Sequence, residues 1–245
     1  MTTSLGATQP HTQDSPLFST RSLAWAIALI AFLAILTLAI FLAGSRYGAL
    51  LALGGHTEST ENFAITIGQD TALLPANAIR FARQRASGPA ERVDLYLTWP
   101  EMAGYSASNR LQFDDITAAP SLLFLQLSQS TMSRDMSGRL EPIYSHLYSG
   151  APQPGPHGLS LHRFRQDAGY TGEALLTASR PGNTDYVVRC ILPEPAAKAS
   201  SADCQRDIHV GRDLTVLYRF SSTMLADWQR IDAAIQSYIE ARLVP

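Results

Sequence analysis

The chain has 245 residues, is 46% hydrophobic and 16% charged, and carries a formal net charge of -2 at pH 7. That balance argues against a nucleic-acid binder or a polybasic membrane clamp, so nucleic acid is not an expected partner. The length beyond the first apolar segment suffices for one substantial domain, and Lys198 is the only lysine among the basic residues.

Residues 1–21 are polar, rich in Ser, Thr and Gln, and contain Pro10 and Pro16. Such a segment cannot bury enough apolar surface to offset chain entropy and is expected to be a disordered cytoplasmic tail. Residues 22–44, Ser22–Gly44, hold no charge, amide or proline. At about 1.5 Å per residue this run reaches roughly 34 Å as a helix, enough for the hydrocarbon core of a bilayer. A lone apolar span must be helical, because only a helix satisfies its own backbone in lipid. Trp25 and Tyr47 lie near its ends, where amphipathic rings favour the headgroup region. Arg21 and Arg46 flank it equally, so basic residues do not set its direction. The short tail and large following domain suit an uncleaved signal anchor in the bacterial inner membrane, with the N-terminus cytoplasmic and the rest periplasmic. A cleaved signal peptide is the competitor, with Ala43 and Ser45 as a small-x-small site, but its apolar region should span about 7–15 residues.

Residues 45–61 read as a linker, with Gly48, Gly54 and Gly55 and a Thr-Glu-Ser-Thr-Glu tract. Residues 62–245 read as short strands divided by turn signals: Phe63–Ile67, Arg92–Thr98, Leu122–Leu127, Leu159–Phe164, Ala174–Ala178, Tyr186–Leu192, Asp207–Val210 and Leu214–Phe220. Arg92–Thr98 alternates, with Val93, Leu95 and Leu97 on one face. Leu122–Leu127 is apolar on both faces, as a central strand would be. Gly211-Arg212-Asp213 has a length suited to a hairpin. Leu140–Tyr148 repeats apolar residues at helical spacing. From Thr223 to Leu243 a stripe through Leu225, Trp228, Ile231, Ile235 and Ile239 predicts a long amphipathic helix capped by Ser221 or Ser222. The expected fold class is α+β: an N-terminal transmembrane helix, then a mainly antiparallel sheet with the long C-terminal helix packed on it.

Cys190 and Cys204 are the two cysteines. Their spacing is not a zinc pattern, and in an oxidising compartment they can close a loop worth roughly 3 kcal/mol in the chain-entropy model. A disulfide is expected, with two buried free thiols as the alternative. Nucleophile-elbow, P-loop, Rossmann and His-Glu-x-x-His patterns are absent. No catalytic residues, metal site or cofactor are therefore assigned. The loop Ser133–Arg139 groups hydroxyls, a carboxylate and two guanidiniums before the expected helix at Leu140. Helix-start amides with Arg134, Asp135, Ser137 and Arg139 would form a ligand or anion site; a capped, solvated turn is the plainer reading. Arg80, Arg83 and Arg85 around Phe81 form a basic cluster that would face acidic headgroups or an acidic partner, or guard a sheet edge.

Several phrases occur together: Trp99-Pro100 with Gly104-Tyr105-Ser106, Ser133 to Arg139, Gly169-Tyr170, Arg189-Cys190, Cys204 to Ile208, Leu214 to Phe220, and Leu225-Ala226-Asp227-Trp228. From Phe63 onward the chain resembles a group of uncharacterised, single-pass membrane-anchored proteins of alphaproteobacteria. The resemblance implies a bacterial inner-membrane setting and carries no activity. The expected function is a non-enzymatic binding module in the cell envelope. Its partners would be the lipid bilayer through residues 22–44 and another envelope protein. The alternatives are an envelope hydrolase built from Ser137, Asp135 and His146 or His162, and an anchored immunity-like inhibitor.

Overall fold

A computed structural model describes residues 20–52, 55–115, 121–192 and 199–245. Most of the expected disordered tail lies outside the described residues. The chain forms two compact units, Met1–Gly54 and Gly55–Pro245. In the first, α1 runs from Thr20 to Ala52, so the helix continues beyond Gly44 before the glycines at 54 and 55. Its stretch Leu23–Leu42 has a mean hydropathy of 2.8 and none of it is buried. A soluble-protein helix hides one stripe, whereas this one is apolar all round and meets the length and composition needed to cross a bilayer. A signal sequence meets the same test. The hydroxyl of Thr37 donates back to the Leu33 carbonyl at 2.8 Å, which satisfies it within the helix.

The second unit is the α+β domain. Strands β1 (Asn62–Ile67), β2 (Asp70–Pro75) and β3 (Gly88–Pro89) form a small sheet in the order β2-β1-β3. The other strands are β4 (Arg92–Thr98), β5 (Leu122–Gln129), β6 (Gln153–Pro154), β7 (Ser160–Arg163), β8 (Ala174–Ala178), β9 (Tyr186–Cys190), β10 (Cys204–Val210) and β11 (Leu214–Phe220). They form an antiparallel sheet in the order β4-β5-β11-β10-β9-β8-β7-β6. Two helices complete the unit, α2 (Arg110–Asp114) and α3 (Trp228–Glu240).

The period-two pattern places the core. Val93, Leu95 and Leu97 of β4, Leu123, Leu125 and Leu127 of β5, and Val216, Tyr218 and Phe220 of β11 are buried together with Trp228, Ile231, Ile235 and Ile239 of α3. Ile65, Ile67 and Leu74 of the small sheet join the same cluster. One face of the large sheet is thus covered by α3 and the small sheet, the two-layer arrangement that lets each amphipathic element hide its apolar side.

Two hairpin turns hold the sheets in register. The Asp70 carboxylate accepts from the amides of Arg212 and Asp213 at 2.9–3.0 Å. Reciprocally, Asp213 accepts from the Gln69 amide at 2.9 Å. Gly68 and Gly211 sit at φ +58 and +69, and a Cβ on either would collide with the opposing carboxylate. The Gln69 amide and further donors hold Asp213 below the usual carboxylate range.

Cys190 and Cys204 are direct partners in the β9–β10 ladder and are joined by a disulfide with Cα atoms 4.0 Å apart. That separation is below the usual 4.4–6.8 Å.

Two local expectations change, and strand β2 lies outside the expected set. Leu140–Tyr148 is not an α-helix; only Tyr144–Leu147 forms a 3-10 turn. Pro142 has no amide to donate, and the surrounding bonds alternate in spacing, such as Ile143 to Arg139, Ser145 to Leu140 and His146 to Ile143. The terminal helix is split: Ser222–Asp227 is 3-10, and α3 begins at Trp228. Ser221 is its cap, accepting from the Thr223 amide at 3.4 Å. Strand β2 was hidden because Thr-Ala-Leu-Leu-Pro does not alternate. It is held from both sides, by β1 and by the chain end, where Leu73 donates to the Arg242 carbonyl and Val244 to that of Thr71, both at 2.8 Å.

Candidate functional site

Among the described residues, the second face of the large sheet is covered over only part of its width. On β8 and β9 this face carries Leu175 and Val187, which pack with Met136 and Tyr144 into a second small core. Leu140, Leu147, Tyr148, Phe164 and Tyr170 close over it. The strand register carries the same face onward to β10, β11, β5 and β4. There Gln205, Arg219, Phe124 and Tyr96 form one row, and Asp207, Leu217, Gln126 and Asp94 the next. Among the described residues, no strand or helix lies over Phe124, Gln126, Leu217 and Arg219. They floor a groove of about 210 Å³ walled by Arg80, Asp94, Ser201 and Ala202. Gln126 and Leu217 continue it into a cleft reaching Ser128, Thr215, His209 and Arg139.

This groove is aromatic and cationic. The Arg80 guanidinium lies 5.1 Å from the ring centres of both Phe81 and Phe124, and that of Arg83 lies 5.2 Å from Phe81. Arg219 projects from β11 and is exposed. Among the described residues none of these three arginines forms an ion pair. Arg85, the third member of the expected cluster, instead turns back to the Ile79 carbonyl at 3.0 and 3.2 Å. The cluster is therefore completed by Arg219, distant in sequence. A charged residue at an outward register position beside Phe124 was the available signal, but only strand pairing brings the two together.

The Ser133–Arg139 loop is put to several uses. Asp135 accepts from the Gly138 amide at 2.9 Å, a local turn cap. Ser137 is buried and donates to the Asp185 carbonyl at 2.6 Å. Arg139 pairs with Asp207 and donates to the Met132 sulfur at 2.6 Å. Arg134 and Arg139, with Met132, Pro142 and Ile143, line a shallow cleft at the end of the open face. No α-helix starts at Leu140, so the helix-start amides of the anion-site reading are missing. No hydrogen bond or ion pair among the described residues joins Ser137, Asp135, His146 and His162. His162 bonds the Thr177 hydroxyl at 2.9 Å and stacks on Tyr148 instead. No group of three or more His, Cys, Asp or Glu among the described residues is placed to hold a metal.

No family model matches the chain, and no curated protein matches it. A solved structure does share the fold. It is Smlt3025, an immunity protein of the Stenotrophomonas maltophilia type IV secretion system, 15% identical with a TM-score of 0.53. The match covers 78% of this chain and 96% of that one. The iron-regulated outer membrane lipoprotein FrpD of Neisseria meningitidis is 11% identical with a TM-score of 0.45, covering 75% and 95% respectively. At these identities the first likeness speaks to the fold alone.

A buried polar network underlies the covered half. The β9–β10 ladder has two pairs, Cys190 with Cys204 and Arg189 with Gln205. Beyond them Arg206, 1% exposed, replaces the missing ladder. It donates to the Val187 carbonyl at 2.8 Å, to the Ser137 hydroxyl at 2.9 Å and to Asp232 of α3 at 2.9 Å. Asp232 also accepts from Tyr218 and Arg180, both at 2.7 Å. Burial pushes the Asp232 carboxyl up, but Arg206, Tyr218 and Arg180 outweigh it and hold the group below its ordinary value. Burial lowers Arg206, yet Tyr218 and Asp232 raise it overall, so it stays charged. Charged residues at inward positions, Arg206 between Cys204 and Ile208 and Asp232 within the α3 stripe, were the sequence signal for this pair.

A third cluster holds the start of the domain. His56 stacks on Tyr105 at 4.6 Å, shares a 2.8 Å hydrogen bond with the Tyr96 hydroxyl and lies 3.5 Å from Asp114. Burial raises Tyr96 to about 12.

Proposed function

We propose that this protein is a single-pass protein of the bacterial inner membrane whose domain is a binding module for another envelope protein. Ser22–Gly44 is the anchor, the N-terminus is cytoplasmic and the domain is periplasmic. The observation that carries the reading is the open half of the large sheet. A sheet face that, among the described residues, carries no strand or helix over Phe124, Leu217 and Arg219 offers aromatic and arginine anchors in a concave setting, the composition typical of interface centres. The apolar helix and the disulfide support an exported, anchored domain. Likeness in fold to an immunity protein supports the immunity-like form of this reading, in which the partner is an incoming effector. The hydrolase alternative draws no support, since its candidate residues hold separate structural positions.

A photo-crosslinking amino acid placed at Gln126 or Leu217 of the full chain tests it in native membranes. Discrete protein adducts are expected from both, and not from Ser237 on the exposed side of α3. Adducts of equal yield from all three positions, or from none, would remove the sheet face as the interface.

A further inference from the structure

We infer that the open half of the sheet seats an acidic segment of the partner protein, with a carboxylate held between Arg80 and Arg219 above the Phe124 ring. This rests on the binding-module reading and adds the chemistry of the partner. Several arginines elsewhere on the domain are matched: Arg139 with Asp207, Arg180 and Arg206 with Asp232, Arg189 with Glu173, Arg165 with Asp167 and Arg230 with Asp227; others, Arg163 and Arg212 among them, form no ion pair among the described residues. What distinguishes the groove is that unmatched arginines gather there beside aromatic rings. Arg80, Arg83 and Arg219 have no ion-pair partner among the described residues, although the whole chain is net negative at -2. Asp94, the one acid lining the groove among the described residues, is already engaged: it accepts from the Gln84 side-chain amide at 2.8 Å and pairs with Arg92 at 3.3 Å.

The aromatic rings explain how the unpaired charges of Arg80 and Arg83 are held. A guanidinium lying over a ring is attracted by the ring face and keeps its in-plane N–H donors directed outward. That geometry suits two-point binding of a carboxylate. Gln126 and Ser201 supply neutral hydrogen-bonding groups beside it. The concave floor favours an entering side chain over a planar array of lipid headgroups, so an acidic protein segment is the occupant the groove fits.

The test uses the full chain in nanodiscs of phosphatidylcholine, with fluorescein-labelled octaglutamate as the probe and octalysine as control. Octaglutamate is expected to bind and octalysine is not. The pair Arg80→Gln/Arg219→Gln should weaken octaglutamate binding at least about tenfold, the scale of losing charge-assisted hydrogen bonds. The pair Arg163→Gln/Arg212→Gln, exposed and outside the groove, removes the same charge and should leave affinity unchanged. The inference is overturned by absent octaglutamate binding or by equal weakening in both pairs. Binding to phosphatidylglycerol vesicles that the groove pair alone abolishes would assign the patch to lipid and also overturn it. If the Leu217 adduct persists in Arg80→Gln/Arg219→Gln, the binding-module reading stands while the acidic partner falls. Circular dichroism of each variant confirms that the fold is retained.

Discussion

At the scale of the residue, the side chains that matter most are polar groups in apolar places. Arg206 donates to a strand carbonyl, a hydroxyl and a carboxylate at once, so its removal strands several buried partners. Arg206→Met is expected to cost about 3–5 kcal/mol, the range for breaking a buried ion pair by deleting one member. Arg206→Met/Asp232→Leu should recover part of that loss, and denaturant unfolding of both variants measures it. The histidines act in another window. Burial lowers His56 from its ordinary 6.5; Asp114 opposes this, while Arg85 and Arg80 reinforce it. Burial alone lowers His162. Below about pH 6.5 the unfolded chain therefore binds more protons than the folded one. Stability present above that pH is lost as pH falls through the lower folded values. The thermal midpoint should drop between about pH 7 and pH 5, and His56→Gln/His162→Gln should flatten the drop. The lowered carboxylates Asp203 and Asp232 start from 3.8 and act only at lower pH.

At the scale of the element, the weak seam is between β9 and β10, where the ladder has two pairs. The disulfide sits in one of those pairs, and Arg206 bridges the gap beyond it. The crosslink thus adds a covalent tie to a short ladder, next to the bond from the Ile191 amide to the Asp203 carbonyl at 2.9 Å. Reduction, or Cys190→Ser/Cys204→Ser, should lower stability by about 3 kcal/mol on the chain-entropy scale for a loop of this length. The two treatments should agree in unfolding midpoint. Wild-type protein that labels fully with a thiol reagent before reduction would show that the bridge does not form. Trp228 illustrates the other kind of element contact, its ring 4.3 Å from that of Tyr186 where α3 meets the sheet.

At the scale of the whole molecule, the apolar helix and the α+β domain are separate compact units. The proposed topology predicts that alkaline phosphatase fused after Pro245 is active in the periplasm, whereas one fused before Ser22 is not. Activity from the N-terminal fusion alone would invert the orientation. A chain beginning at Gly55 is expected to stay soluble without detergent, because most of its large apolar side chains are buried in the two cores.

The sequence by itself determined the features carried by local periodicity and composition. The apolar span, the strands Arg92–Thr98, Ala174–Ala178 and Leu214–Phe220, the β10–β11 hairpin and the amphipathic α3 all follow from alternation, run length and turn residues, which act over a few neighbours. Ser137 and Arg139 could be marked as notable, but their partners Asp185, Arg206 and Asp207 lie far along the chain. Only the tertiary structure decided where they point. It likewise decided that Arg219 joins Arg80 and Phe124, since a strand order of β4-β5-β11 brings these residues together. The half-covered sheet is of the same kind. Which strands lie under the 131–172 segment depends on how that irregular stretch packs, and its fold is set by contacts with Leu175 and Val187 and not by any period of its own.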